Sequence, residues 1–228
     1  FRHSNNPSVQ LSPLKTIIFK DIKYTINKNK FLSIVLPAMH SHIINPESYP
    51  FFEENIDQLE NCFELIKNVN PEIYDMTKFK MADYGSSRYD AWYKKKLILK
   101  EYGSSKLYSK YKNTYDVFNQ SKFVILTYPL TVLSELLISN VPFALFYDPS
   151  HWVLNKDSED MINIMKENKL YFENPKQLSN HLNNIWPSIN EWWNSQTVLD
   201  VRNYLKNRTT NLNENWKNEW VTFLRGIN

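Results

Sequence analysis

The sequence predicts an α/β fold in which a Rossmann-like parallel sheet is flanked by helices and followed by a helical C-terminal end. Residues 123–126 form a continuous apolar run of β-favouring residues, as in a strand buried on both faces. A short amphipathic segment and a second apolar run at 141–147 follow, which together indicate a β-α-β unit. Ligands bind at the carboxyl ends of strands in such sheets, so the loop after residue 126 is the first candidate site.

The remaining elements continue this alternation. Residues 31–36 are expected to form the first central strand, and residues 49–68 carry an apolar stripe at helical spacing. Residues 16–24 form another β-type run, either paired with the first strand or at the sheet edge. A strand is also expected at 73–81, and the lysines at 94–96 are interpreted as the solvated start of a helix.

The C-terminal third is expected to be mostly helical. The last amphipathic segment places Trp216, Trp220 and Phe223 at i, i+4 and i+7, which favours a core or interdomain stripe over carbohydrate stacking. Predicted helices cover 116–120, 157–168, 175–186, 187–209 and 213–224, with a short strand at 170–172.

Three regions divide the chain. Residues 1–14 form a leading segment or linker, residues 15–209 form the Rossmann-like domain, and residues 210–228 carry the C-terminal amphipathic helix. Because the chain begins at Phe1 and not at Met, we expect a fragment or a processed product.

Composition limits the partners and the compartment. The net charge is only +3, and lysines and acids are mixed along the chain, so a dedicated nucleic-acid surface is not expected. The lone Cys62 cannot form an internal disulfide, which favours a reducing, cytoplasmic location. No apolar run approaches the roughly 20 residues that span a bilayer. Peripheral contact with the inner face of the membrane stays open.

Glycine is almost absent. Gly85, Gly103 and Gly226 are the only three in the sequence, so neither the dinucleotide nor the Walker type of Gly-rich phosphate loop is present. Any phosphate must instead be held by helix N-termini, hydroxyl groups and basic side chains.

The loop after residue 126 carries the most suggestive group of side chains. Thr127 and Tyr128 lie in the turn, Thr131 stands at the expected N-cap, and Glu135 follows one helical turn later on the same face. A helix N-terminus with a hydroxyl suits a phosphate, and one carboxylate can accept hydrogen bonds from both hydroxyls of a ribose. The alternative is a capped helix with an exposed Glu135.

Two other loops supply candidates. Arg88, in the polar loop 83–92, could bind a phosphate or carboxylate with two N–H groups, or simply pair with a neighbouring aspartate. His40 and His42 follow the first central strand and are the candidate catalytic residues, the alternative being two exposed loop histidines. No third ligand at useful spacing accompanies them, so we expect no metal site.

The loop after residue 147 is expected at the edge of the same cleft, because it also follows a strand. The side chains expected there are Asp148, His151 and Trp152.

Several short motifs lie between residues 123 and 208. They are Thr127-Tyr128 with Thr131 and Glu135, Asn140-Val141-Pro142, Phe146-Tyr147-Asp148-Pro149, Trp152, Ile185-Trp186 and Glu191-Trp192-Trp193-Asn194. With these motifs, residues 123–208 resemble the C-terminal part of a bacterial transferase family tied to O-antigen and other surface-polysaccharide loci. An upstream segment with Arg88, Tyr89 and Trp92 is similar to an Arg-Tyr-Trp patch of that family.

The resemblance implies a GT-B-like glycosyltransferase, in which two Rossmann-like domains face each other and the C-terminal one holds the donor nucleotide. It makes 15–209 a nucleotide-sugar-binding domain, and it implies a glycan or lipid-linked acceptor and a second domain or subunit. Thr131 and the helix N-terminus would hold phosphate, Glu135 would hold ribose, and Arg88 would offset donor charge. Pro129-Leu130 departs from the small polar pair usual in this turn.

The expected function is therefore nucleotide-sugar-dependent glycosyl transfer in surface-polysaccharide, O-antigen or lipopolysaccharide synthesis, by the whole enzyme or its donor-binding half. No cofactor or metal is expected, because the sequence has no Asp-x-Asp motif to carry a divalent ion. The alternative is a non-catalytic Rossmann-like domain that binds a nucleotide or a partner. A hydrolase is disfavoured, because the chain has no Gly-x-Ser-x-Gly elbow.

Overall fold

A five-stranded sheet, parallel throughout, forms the centre of the computed structural model. Its strands lie in the order β2-β1-β3-β4-β5. The structure describes residues 18–22, 30–37, 52–81, 92–109, 113–129, 131–152, 154–210 and 215–226. The strands are β1 (Phe31–Val35), β2 (Thr77–Lys80), β3 (Ser121–Leu126), β4 (Phe143–Phe146) and β5 (Tyr171–Phe172).

Helices connect the strands and cover both faces of the sheet. Short 3-10 turns at Ile18–Asp21, Ser104–Lys106, Pro149–His151 and Trp186–Ser188 supplement them. The α-helices are α1 (Phe52–Asn68), α2 (Pro71–Met76), α3 (Trp92–Tyr102), α4 (Thr114–Phe118), α5 (Val132–Ser139), α6 (Lys156–Glu167), α7 (Pro175–Ile185), α8 (Ile189–Trp193), α9 (Gln196–Thr209) and α10 (Trp216–Arg225).

Alternate residues along the strands point to opposite faces of the sheet and contribute to two separate hydrophobic cores. Leu32, Ile34 and Ile125 pack with α1, α3 and α7 on one face. Val35, Val124 and Leu126 pack with α4, α5 and α9 on the other. Because both faces are covered, residues 123–126 are fully buried, which explains their unbroken apolar run. The predicted α/β class with a parallel sheet is confirmed.

The strand order places a switch point at the centre of the sheet. From β1 the chain passes through α1 to β2 on one side, and then crosses β1 to reach β3 on the other. Helices that follow the strands begin at the carboxyl edge of the sheet. A crevice outside the carboxyl ends of β1 and β3 is where open sheets of this kind bind ligands.

Three predicted elements differ from the structure. The run at 73–81 is not one strand: Pro71 occupies a first helical position, so α2 precedes β2. Residues 18–21 of the predicted 16–24 strand form a 3-10 turn that places Phe19 in the core. The helix expected over 187–209 breaks after Trp193, and α9 starts anew at Gln196.

The lysines at 94–96 do not behave alike. Lys95 and Lys96 are exposed, as expected for a solvated helix start, but Lys94 is only 5% exposed. The interpretation of Lys94 as a solvated residue was therefore wrong. Lys94 lies one helical turn before Ile98, which is buried in the core, so both residues fall on the inward side of α3.

Three residues, Asn140, Trp193 and Arg202, form a hydrogen-bonded lock that joins the end of α5 to α8 and α9. Asn140 ends α5 in the left-handed conformation (φ 58°), and its backbone carbonyl accepts a 3.0 Å hydrogen bond from Trp193 Nε1. Arg202, 4% exposed, donates to Asn140 Oδ1 and to the Trp193 carbonyl, and its guanidinium lies 4.0 Å from the centre of the Trp193 ring. These contacts give Asn140 and Trp193 a structural role.

His181 is a buried imidazole without a hydrogen bond to Nε2 from any described residue. It lies between the rings of Phe172 and Trp192, and burial lowers its pKa from 6.5 to about 4. The unfolded chain therefore takes up a proton before the folded chain does, so His181 removes stability as the pH falls from about 6.5 to about 4.

We expect His181→Phe to reduce the loss of unfolding free energy between pH 7 and pH 4.5 by on the order of 1–3 kcal/mol, measured by urea unfolding. An unchanged acid loss would contradict this assignment.

The last helix, α10, has an apolar face with partial exposure. Trp216, Trp220 and Phe223 are half-buried, whereas Val221 and Leu224 are exposed. The predicted stripe is thus only partly covered by the described part of the chain. Within the described ranges, no helix has the length and apolar character needed to span a membrane.

Candidate functional site

The candidate site is the carboxyl edge of the sheet at β1 and β3. Thr127, directly after β3, ties the two strand ends together: its backbone N–H and its hydroxyl both donate to the Val35 carbonyl, at 3.2 and 2.9 Å. On the other side of β1, the Leu36 N–H donates to the Lys80 carbonyl at 2.9 Å. These hydrogen bonds hold the ends of β1, β2 and β3 together. Thr127, which is 1% exposed, takes part in them through both its N–H and its hydroxyl.

The helix that leaves this edge starts without a side-chain cap. Thr131 is exposed and occupies the N-cap position of α5, but its backbone is already helical (φ −50°, ψ −28°) and its hydroxyl makes no capping bond. The position predicted for Thr131 is confirmed, whereas the capping bond is absent. Tyr128 and Pro129 are half-buried in the turn before it, and Leu130 lies outside the described residues.

Glu135 lies in the first turn of α5 and is only 2% exposed. The alternative of an exposed Glu135 is therefore wrong. A buried carboxylate one turn from a helix N-terminus is favoured by the helix dipole. Thr127, Tyr128, Thr131 and Glu135 thus lie together at the end of β3, as the sequence spacing indicated.

The loop after β4 forms a compact turn. The Asp148 carboxylate accepts from the Ser150 N–H at 2.8 Å and from the Ser150 hydroxyl at 2.6 Å, and the hydroxyl bond in particular lowers the pKa of Asp148 below its usual value. His151 and Trp152 are half-buried, and the Trp152 ring meets Tyr147 edge-on at 6.1 Å. Asp148 therefore caps this turn at the carboxyl end of β4.

Three predicted site residues, namely His40, His42 and Arg88, lie outside the described residues. Their predicted roles remain predictions. They belong to the connections that follow β1 and β2, whose ends meet at the same edge.

The structure adds polar side chains that sequence reasoning missed. Asn55 and Gln58 lie one turn apart near the start of α1, and both are buried. Gln58 Nε2 donates to the Phe146 carbonyl at the end of β4, at 2.9 Å, and Asn55 Oδ1 accepts from Lys94 Nζ at 3.3 Å. The available signal was helical spacing: Asn55, Gln58 and Cys62 fall on the buried side of α1 together with Leu59.

Among the described residues, no group of three or more His, Cys, Asp or Glu side chains is arranged to hold a metal ion. The described polar groups at this edge include hydroxyls, amides, the carboxylates of Glu135 and Asp148, and the Lys94 ammonium. That set suits a ligand with hydroxyl groups and negatively charged oxygens.

Comparisons with known proteins assign the chain to a family. The sequence profile described as LIC12162 family transferase matches residues 3–224. A search of curated proteins finds no match. Among solved structures, the wall teichoic acid polymerase TagF is similar at 16% identity and a TM-score of 0.45, over 92% of this chain and 47% of that one. The chain thus spans about half the length of that structure.

Proposed function

Because the chain belongs to the LIC12162 transferase family, we propose that it is the donor-binding part of a nucleotide-sugar-dependent glycosyltransferase with GT-B-like architecture. The acceptor in this proposal is a glycan or a lipid-linked glycan in bacterial surface-polysaccharide synthesis, at the cytoplasmic face of the membrane. The resemblance of residues 123–208 to surface-polysaccharide transferases supports sugar transfer as the reaction.

One observation carries the proposal: the switch point between β1 and β3 coincides with the Thr127–Glu135 group. An uncapped helix N-terminus and a buried carboxylate one turn later meet at the edge where open parallel sheets bind nucleotides. The sequence has no Gly-rich loop, so phosphate binding falls to the start of α5 and to basic side chains.

Each residue then has a role that follows from its chemistry. The N–H groups at the start of α5, with the exposed Thr131 hydroxyl, receive a phosphate oxygen. Glu135 accepts hydrogen bonds from the ribose hydroxyls. The Thr127 hydroxyl donates a hydrogen bond to the Val35 carbonyl, so Thr127 positions the end of β3. Catalysis rests on holding donor and acceptor in line and on stabilising the leaving phosphate.

Nucleotide binding tests this function. The full chain is titrated calorimetrically with UDP, CMP, GDP and ADP, and at least one is expected to bind. Glu135→Gln keeps the shape of the side chain but removes its charge, so it is expected to weaken that nucleotide by about tenfold, or about 1.4 kcal/mol. The best nucleotide should also raise the melting temperature of the wild-type chain.

Ser139→Ala is the matched control, because Ser139 is equally buried but lies at the other end of α5. Its hydroxyl donates to the Leu136 carbonyl, away from the carboxyl edge. The control should bind like the wild type. Absence of binding by all four nucleotides, or equal binding by a folded Glu135→Gln variant, would refute the donor site.

A further inference from the structure

The described residues include a buried cation that the roles above do not use. Lys94 lies in the first turn of α3, and its Nζ donates to the Pro37 carbonyl at 3.1 Å and to Asn55 Oδ1 at 3.3 Å. Both acceptors are uncharged. Pro37 lies two residues after β1, one of the two strands that flank the switch point, so this ammonium lies near the carboxyl end of β1.

No described carboxylate forms an ion pair with Lys94. An ammonium group carries three N–H donors, and the described residues accept from two of them. Burial lowers the pKa of Lys94 from 10.5 to about 7. A buried ammonium without a counter-charge is costly, and a nearby anion would offset that cost.

A second unsatisfied group lies at the same edge. Gln58 is 6% exposed, its Nε2 donates to the Phe146 carbonyl, and its Oε1 accepts from no described residue. Buried polar atoms without partners are rare in folded proteins, so such an atom indicates a missing partner. An ammonium and an amide oxygen, both incompletely bonded, match a ligand that carries a negative oxygen and a hydroxyl group.

We infer that Lys94 binds a phosphate oxygen of the sugar-nucleotide donor, and that Gln58 Oε1 accepts a hydrogen bond from a hydroxyl of the same donor. This assignment rests on the proposed function, and it adds a second anchor to the start of α5. The two anchors approach from different helices: α3 follows β2, whereas α5 follows β3. The donor diphosphate lies between them, across the carboxyl ends of β1 and β3.

Binding measurements isolate the phosphate contribution. For the nucleotide that binds best, the diphosphate is compared with the corresponding nucleoside in the wild-type chain and in Lys94→Met, Lys94→Arg and Lys95→Met. The diphosphate should bind at least about tenfold more tightly than the nucleoside in the wild type, and Lys94→Met should remove most of that ratio. Lys94→Arg keeps the charge and should retain part of it. Lys95→Met, on the exposed side of the same helix, should leave the ratio unchanged.

A measurement on the wild-type chain does not depend on the folding of any variant. The Lys94 ammonium is titrated by NMR with and without saturating inorganic pyrophosphate, a probe that carries no base or sugar. Bound pyrophosphate should raise the titration midpoint by about one pH unit or more. An unchanged midpoint, or an unchanged diphosphate-to-nucleoside ratio in folded Lys94→Met, would overturn the assignment.

The outcomes separate the two proposals. Nucleotide binding that is sensitive to Glu135 but indifferent to Lys94 would retain the donor site and remove Lys94 from it. A pyrophosphate-induced shift of the Lys94 midpoint, without binding of any nucleotide, would retain the anion position and refute the donor function.

Discussion

Replacing Arg202 with alanine is expected to lower the free energy of unfolding by about 3 kcal/mol. The substitution leaves Asn140 Oδ1 and the Trp193 carbonyl without their donor inside the protein. It also removes the guanidinium stacked at 4.0 Å on Trp193 and leaves a cavity. Urea unfolding monitored by tryptophan fluorescence measures the loss directly, since Trp193 itself is in the lock.

Arg208→Ala is the matched control on the same helix. Arg208 is exposed, and both its 3.8 Å ion pair with Asp157 and its 3.3 Å hydrogen bond to the Tyr204 hydroxyl face solvent, so its removal should change stability by no more than about 0.5 kcal/mol. Arg202→Lys keeps the positive charge but loses the two-pronged donor geometry, so it should fall between these values. Equal stability losses in Arg202→Ala and Arg208→Ala would show that the lock contributes nothing.

Lys94 is expected to make the stability of the unliganded chain rise with pH. Its pKa is lowered from 10.5 to about 7 in the folded state, so between these values the unfolded chain holds a proton that the folded chain does not. Unfolding then takes up a proton, and raising the pH opposes it. Relative to Lys94→Met, the wild type should gain about 1.4 kcal/mol per pH unit, or about 2–3 kcal/mol between pH 7 and pH 9.

Other buried groups set the upper limit of the pH range in which Lys94 alone controls the slope, because their pKa values are raised and not lowered. Burial raises the pKa of the Cys62 thiol and of the Tyr102 and Tyr108 hydroxyls to about 12 each. Their unfolded forms lose protons first, so above about pH 9 they lower stability. Urea unfolding at pH 7, 8 and 9 therefore isolates Lys94. In Lys95→Met, the free energy of unfolding should rise with pH as steeply as in the wild type. If it also rises as steeply in Lys94→Met, the buried Lys94 amine is not the cause of the pH dependence.

The fold could be predicted from the sequence where the burial pattern was strong. Residues 123–126 and the stripe over 49–68 have unbroken or regular apolar patterns, and their strand and helix formed as expected. The structure after Pro71 could not be predicted from the residue itself, because proline interrupts a helix but also favours its first turn. The burial of Ile73 in the core goes with the second case, a helix that starts at Pro71.

The candidate site was only partly accessible to sequence reasoning. Thr127, Thr131 and Glu135 are close in sequence, so their proximity follows from helical spacing alone. Lys94, Asn55 and Pro37 come from three separate segments, and nothing in the local pattern brings them together. A lysine within a run of lysines is indistinguishable from a solvated one until the packing of α3 on the sheet is known.

The strand order also constrains how the chain folds. The neighbouring strands β1 and β3 are far apart in the sequence. Ser33 and Ser121, whose hydroxyls form a 2.6 Å hydrogen bond, are separated by 88 positions. Local pairing cannot form this centre, because every neighbouring pair in a parallel sheet needs a long crossover. Such non-local pairing folds slowly and leaves strand edges unpaired in the meantime. During synthesis, β1 therefore cannot pair with β3 until residues 121–126 have been made, so this edge of β1 stays unpaired while the intervening segments are added.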